Sequence, residues 1–261
     1  ISASNYFNKD QHAPWPADIH VIGKDILRFH AVYWPAFLMA ADLPLPKKIF
    51  SHGWILSGDE KMSKSKGNIL DPIELINEYG VDEIRYYLAK EVVFGLDGKI
   101  NKDNIEICIN DLANNIGNLT QRVFTLIEKY YDLKMPNTSD NYTKNSMTII
   151  DSKNFVQYLR NLEIHNYIKE INKYSSKINK YVNDNEPWNR KLNSDTNIRN
   201  ILNTSINSIK NIFILLHPIM PKKSEYFLNL LGLKSFSINN LKIDIPEGQT
   251  ISKPKILFKK Y

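Results

Sequence analysis

A single cysteine, Cys108, stands in the 261 residues, so no internal disulfide can form. No C-x-x-C pair is present either, which leaves no zinc site in this portion of chain. Both absences fit a reducing compartment, and the expected location is the cytoplasm. No apolar run approaches 18 residues, which excludes a membrane-spanning helix. The opening Ile1-Ser-Ala-Ser-Asn-Tyr-Phe7 has neither a charged and apolar leader nor an initiator methionine, and a truncated start is expected. What is present is an ordinary globular balance, 43% hydrophobic and 24% charged, with a net charge of +6 and a pI near 9.1. That charge is compatible with a polyanionic partner, but a solvated basic surface is the plainer reading, and charge alone does not decide.

The chain changes texture near residue 100. Residues 1–100 hold most of the prolines, Trp15, Trp34 and Trp54, and short apolar runs bounded by Gly or Pro. Residues 18–22 read as a short buried strand ending at Gly23, residues 26–41 as a helix kinked at Pro35, and residues 49–56 as a second strand. Strand, helix, strand implies a βαβ unit with a parallel sheet. Asp71-Pro72 opens a helix that Gly80 stops, and residues 82–91 restart it. Beyond residue 101, Ile105, Ile109, Leu112, Ile116, Leu119, Val123 and Leu126 alternate four and three apart, one apolar stripe on a helix of about eight turns. Further helices are expected over 153–182 and 196–217, with a short one ending near Gly232, as an antiparallel bundle. The predicted fold class is therefore α/β plus all-α. A nucleotide-binding parallel-sheet portion (1–100) is followed by a helical domain (101–261).

Chemistry concentrates in Lys61-Met-Ser-Lys-Ser65, placed in a loop between the second strand and the helix at Pro72. Lysines, small hydroxyls and a glycine make a cationic segment able to close over a triphosphate. Displacing pyrophosphate builds negative charge on the departing phosphates, and preplaced ammonium groups lower that barrier. Two aromatic residues upstream, Phe29 and Trp34, suit a thioether, because sulfur–aromatic contacts are favourable. Taken alone, they also read as plain core, and His30 as a hydrogen-bonded structural histidine. Gly23, after a strand, is where a ribose can come close. On the long helix, Asn118 and Arg122 stand one turn apart, an amide and a guanidinium that can read base edges. Trp188, after Glu186-Pro187, can stack a splayed base. By themselves Asn118 and Arg122 read first as an exposed polar face, and Trp188 as a bundle-end core residue.

The pentapeptide, following Ser51-His-Gly-Trp54, resembles the second signature of class I aminoacyl-tRNA synthetases. Gly23-Lys-Asp-Ile26, Phe29-His30 and Trp34-Pro-Ala36 narrow the likeness to methionyl-tRNA synthetases. The resemblance implies that Lys61 and Lys64 hold the ATP phosphates, with Ser63 and Ser65 in the same loop. It implies that Gly23 and Asp25 face the adenylate ribose, that the backbone near Trp54 and Ile55 touches adenine, and that Phe29, His30 and Trp34 line a methionine pocket. Asn118-Leu-Thr-Gln-Arg122 and the segment from Asn179 to Trp188 resemble the anticodon-contacting segments, so Asn118, Arg122 and Trp188 would read CAU. Asn189-Arg190 departs from that pattern, where an apolar or basic pair is usual.

The expected partners are methionine, ATP with Mg, and tRNA(Met), with no membrane and a monomeric state. The first signature of the family, a His-rich loop, and its zinc-bearing insertion are not in the sequence, so the chain by itself is expected to be inactive. Two alternatives stay open: a class I synthetase for a bulky aliphatic amino acid, and a non-catalytic RNA-binding helical protein that retains the loop.

Overall fold

The computed structural model describes residues 15–58, 60–61, 70–93, 95–138 and 148–261. They fall into two compact units, one drawn from Ile1–Ile69 with Val92–Ile100, the other from Leu70–Glu91 with Asn101–Tyr261. The partition therefore does not fall at one point near residue 100, because residues 70–91 group with the later helices.

The first unit contains the expected strand–helix–strand. β1 (His20–Gly23) pairs in parallel with β2 (Ile49–His52), from His20 opposite Ile49 to Gly23 opposite His52. Between them runs a helical stretch ending in α1 (Trp34–Ala40). Pro35 lies in the first turn of α1, and a π-helical turn over Phe29–Tyr33 precedes it, with the Trp34 N–H donating five residues back to Phe29. The wide turn removes the steric conflict that a proline imposes on a regular helix, where a simple kink was expected.

The single strand expected over 49–56 is two strands in two sheets. After β2 the chain passes Gly53 and continues as β3 (Ile55–Ser57), which pairs antiparallel with β4 (Glu60–Lys61) and parallel with β5 (Gly98–Ile100). The switch occurs at Gly53 because there the chain runs against Leu96 and Asp97. A Cβ on Gly53 would lie 2.2 Å from the Leu96 carbonyl oxygen. No pattern of apolar residues encodes that contact.

In the second unit, Asp71 caps α2 (Pro72–Tyr79) through the Ile73 N–H, Gly80 at φ 100° ends it, and α3 (Val81–Glu91) follows. α4 (Lys102–Leu112), a π-helical segment over Ala113–Gly117 and α5 (Asn118–Tyr131) run on as one helical rod carrying the predicted stripe, which is buried throughout. The helix expected over 153–182 is broken into α6 (Ser152–Arg160) and α7 (Ile164–Asn185). Leu162 takes φ 63°, and the Glu163 carboxylate receives the side-chain amides of Asn161 and Asn166 on either side of the break. The turn brings Phe155 edge-on to Tyr167, 5.6 Å between ring centroids.

α8 (Asp195–Leu216) is buried on every face from Leu202 to Leu216, as a central core helix must be, and α9 (Pro221–Leu230) packs on it. Several buried polar residues of α8 are satisfied by distant segments of the chain, while the Asn211 side-chain oxygen has no partner among the described residues. Asn203 donates to the Pro136 carbonyl, Asn207 accepts from the Ile245 N–H, and the fully buried Lys210 donates to the carbonyls of Asn240 and Ile243. No helix among the described residues is long and apolar enough to cross a membrane.

Candidate functional site

In the first unit the helical stretch after β1, together with β1 itself, lines an open cleft of about 690 Å³. Phe29, His30 and Trp34 all line it, and they are joined by Trp15, His20, Tyr33 and Phe37. Helical spacing explains the convergence, since 30, 33, 34 and 37 recur at three and four residues. The rings pack edge to face, with Trp15 6.3 Å from Trp34 and Phe29 5.7 Å from Tyr33. The His30 Nδ1 lies 3.0 Å from the Ile26 carbonyl. Donation there makes Nδ1 the protonated nitrogen and leaves Nε2 as an acceptor. The result is an aromatic cleft that includes an oriented imidazole, suited to an apolar side chain such as a thioether.

At the C-terminal end of β1, Gly23 leads into a short 3₁₀ turn carrying Asp25. The Asp25 carboxylate folds back over Gly23, its Oδ1 only 2.6 Å from where a Cβ would sit. A bare Cα beside an exposed carboxylate is an arrangement that accepts hydroxyl donors at close range. Lys24 turns the other way. Its ammonium grips both oxygens of Asp97, at 2.6 and 2.7 Å, and sits 4.3 Å from the Trp54 ring centroid. Asp97 also accepts the Trp54 N–H at 2.8 Å, while the Trp54 carbonyl accepts from Gly98. The main-chain N–H and carbonyl of Trp54 are thus engaged inside the unit, and Ile55 is exposed beside it. The Lys24 ammonium, with the Trp54 amide, holds the Asp97 carboxyl below its ordinary range.

The Lys61 main chain lies in β4 opposite Leu56. Its side chain, with Ser63, Lys64 and Ser65, falls outside the described residues.

The second unit brings Arg122 and Trp188 together, from α5 and from the turn after α7. The guanidinium carbon is 5.8 Å from the indole centroid. Arg122 is aimed by two asparagines on α7, donating to Asn183 at 2.7 Å and Asn179 at 3.4 Å. Asn179 is itself held by Asn115, whose side-chain oxygen receives Asn179 at 2.8 Å and Ser175 at 3.0 Å. Desolvation lowers the Arg122 pKa, and its Nε is buried without a partner among the described residues. Asn118 stands exposed one turn earlier, and Trp188 presents 41% of its surface. A guanidinium clamped beside an exposed indole makes a positioned stacking face for one base.

Sequence reading missed the wall residues Trp15, His20, Tyr33 and Phe37 and the asparagine buttress. The recurrence of Asn179 and Asn183 one helical turn apart was the available signal for the buttress. It also gave no place to Tyr130, which lies beneath Arg190 at 4.5 Å.

The family model for class I tRNA synthetases (M) matches residues 2–124. Over its whole length the chain is 37% identical to methionine–tRNA ligase of Rickettsia conorii, of which it covers 54%. Over 94% of its length it is 42% identical to methionine–tRNA ligase of Caldanaerobacter subterraneus, covering 40% of that protein. Among solved structures, Mycobacterium tuberculosis methionyl-tRNA synthetase bound by methionyl-adenylate superposes with a TM-score of 0.89 at 35% identity, over 97% of this chain and 52% of that one. The free form of the same enzyme gives 0.87. The chain spans about half the length of the curated relatives that match it end to end.

Proposed function

We propose that the chain is a member of the methionyl-tRNA synthetase family, carrying part of the amino-acid-activating site and the anticodon-reading helices of a methionine–tRNA ligase. The observation that carries this reading is the aromatic cleft, in which Phe29, His30 and Trp34 converge beside the Gly23–Asp25 turn at the end of a parallel strand.

Methionine enters with its thioether against Phe29 and Trp34, and ATP, as its magnesium complex, places its ribose at Gly23 and Asp25. The methionine carboxylate attacks the α-phosphorus, and the bond to the β,γ-phosphates breaks, giving methionyl-adenylate and pyrophosphate. Lys61 and Lys64, with Ser63 and Ser65, hold the phosphates that gain charge as they leave. The 3′-terminal ribose hydroxyl of tRNA(Met) then attacks the aminoacyl carbonyl, AMP departs, and the ester forms. Asn118, Arg122 and Trp188 read the CAU anticodon. In this reading the chain is the C-terminal portion of a nucleotide-binding domain followed by the anticodon-binding helices. It works in the cytoplasm as a monomer.

Calorimetric titration with a non-hydrolysable methionyl-adenylate analogue, set against its leucyl and isoleucyl counterparts, tests the cleft. Preference for the methionyl form, abolished by Trp34→Ala, is the expected result. Equal affinity for the three would contradict the assignment.

A further inference from the structure

Two residues past Trp188, Arg190 places its guanidinium carbon 4.5 Å from the Tyr130 ring centroid, and the Lys129 ammonium is 5.4 Å from the same ring. The Tyr130 hydroxyl donates to the Trp188 carbonyl at 3.5 Å. Two guanidinium-on-aromatic pairs, Arg122 with Trp188 and Arg190 with Tyr130, therefore stand side by side and are joined through one residue. Their polar accounting differs. Arg122 spends its donors on Asn179 and Asn183. Arg190 is exposed, and among the described residues it has neither a carboxylate partner nor a hydrogen-bond acceptor.

Three acids close to this pair in the chain are occupied elsewhere. Glu128 pairs with Lys253 at 2.5 Å, Asp195 with Arg199 at 3.2 Å, and Glu186 accepts from the Asn189 amide at 3.1 Å. A guanidinium stationed on a ring keeps a fixed position without an acid to neutralise it. Its N–H fork matches the geometry of a phosphate. An adjacent second cation, Lys129, raises the local potential for the same anion.

We infer that Arg190, stationed on Tyr130, is a binding subsite for a backbone phosphodiester of RNA, next to the nucleotide received at Trp188. This rests on the reading of Arg122 and Trp188 as the anticodon site. Phosphate contacts set register while base contacts set specificity, so the two pairs divide the work. Arg122 and Trp188 choose the base, and Arg190 holds the strand in place.

The test is binding of the full chain to a CAU stem-loop and to single-base variants over a series of salt concentrations, for wild type, Arg190→Gln, Arg190→Lys and Tyr130→Leu, with folding checked by far-UV circular dichroism. One lost contact to single-stranded RNA lowers the slope of log K against log salt by about 0.7 and weakens binding at low salt roughly five- to tenfold. Arg190→Gln is expected to do both while the ratio of CAU to changed loops stays fixed. Arg190→Lys should keep the slope, and Tyr130→Leu should weaken binding by a smaller factor in the same direction. An unchanged slope in Arg190→Gln overturns the inference, as does a loss of CAU preference without a slope change, which would make Arg190 a base reader. If wild type shows no CAU preference but Arg190→Gln still lowers the slope, the anticodon reading fails and the phosphate subsite stands.

Discussion

Replacing Gly53 by alanine places a methyl group 2.2 Å from the Leu96 oxygen, 2.3 Å from its carbonyl carbon and 2.6 Å from the Asp97 nitrogen. All three are main-chain atoms, so no side chain can swing aside. Ordinary contact needs at least 3.4 Å, and the two segments must part by about 1 Å. Two hydrogen bonds bracket the contact, Trp54 N–H to Asp97 at 2.8 Å and Gly98 N–H to the Trp54 carbonyl at 2.8 Å. A shift of that size takes both beyond hydrogen-bonding range, and each is worth about 1 kcal/mol net, more for the carboxylate. Overpacking alone costs about 1–3 kcal/mol, so a total near ~3 kcal/mol is expected.

Gly58 is the control. Nothing lies within 4 Å of a Cβ there, but its φ of 62° is left-handed, so Gly58→Ala should cost only ~1 kcal/mol of backbone strain. Urea unfolding followed by fluorescence, in a Trp188→Phe background that leaves the three tryptophans of the first unit, reads both. With a slope of about 1–3 kcal/mol per molar, the Gly53→Ala midpoint should fall by roughly 1–3 M. A fall no larger than that of Gly58→Ala would refute the close-approach argument.

Further outcomes follow from the same geometry. Because Lys24 depresses the Asp97 carboxyl, its stabilisation is present above the unfolded value near ~3.9 and is lost as pH falls through the lower folded value. The urea midpoint of the first unit should therefore drop more steeply below about pH 5 in wild type than in Asp97→Asn, and parallel curves would contradict this. Burial pushes the Cys108 thiol up to about 11. It should resist Ellman's reagent at neutral pH until urea unfolds the chain, and rapid native labelling would show the site to be open. Lys210→Met leaves the Asn240 and Ile243 carbonyls without their ammonium donor, at a cost of about 2–4 kcal/mol in denaturation followed by circular dichroism. An unchanged or raised midpoint would mean that desolvating the ammonium outweighs its bonds.

Elements governed by local periodicity were legible in the sequence. The stripe from Ile105 to Leu126, the Asp71 cap and the βαβ order needed no long-range information. Where the chain is shaped by contact with a distant segment, sequence reading failed. The break at Gly53 depends on Leu96. The turn at Leu162 was missed for a different reason: it is held locally by the Glu163 carboxylate between Asn161 and Asn166, with no Gly or Pro to mark it. The π-helical turn before Pro35 replaced the expected kink because widening one turn satisfies the backbone at lower strain. Among the site residues, Phe29, His30 and Trp34 were named from residue type and the family resemblance, and Trp15 was missed because it arrives from before the strand. Arg122 and Trp188 were named separately from their residue types. Their meeting required α7 to run alongside α5, which no local pattern specifies.

The central claim, that the helical unit reads a methionine anticodon, is tested most directly by the affinity of the chain for a CAU stem-loop against loops changed at one anticodon base, at fixed salt. A preference of about tenfold or more for CAU, lost in Trp188→Ala, is the predicted result, as one stacked base is worth roughly 1–3 kcal/mol. Equal, salt-sensitive binding to every loop would contradict it, for then the phosphate backbone alone would be read.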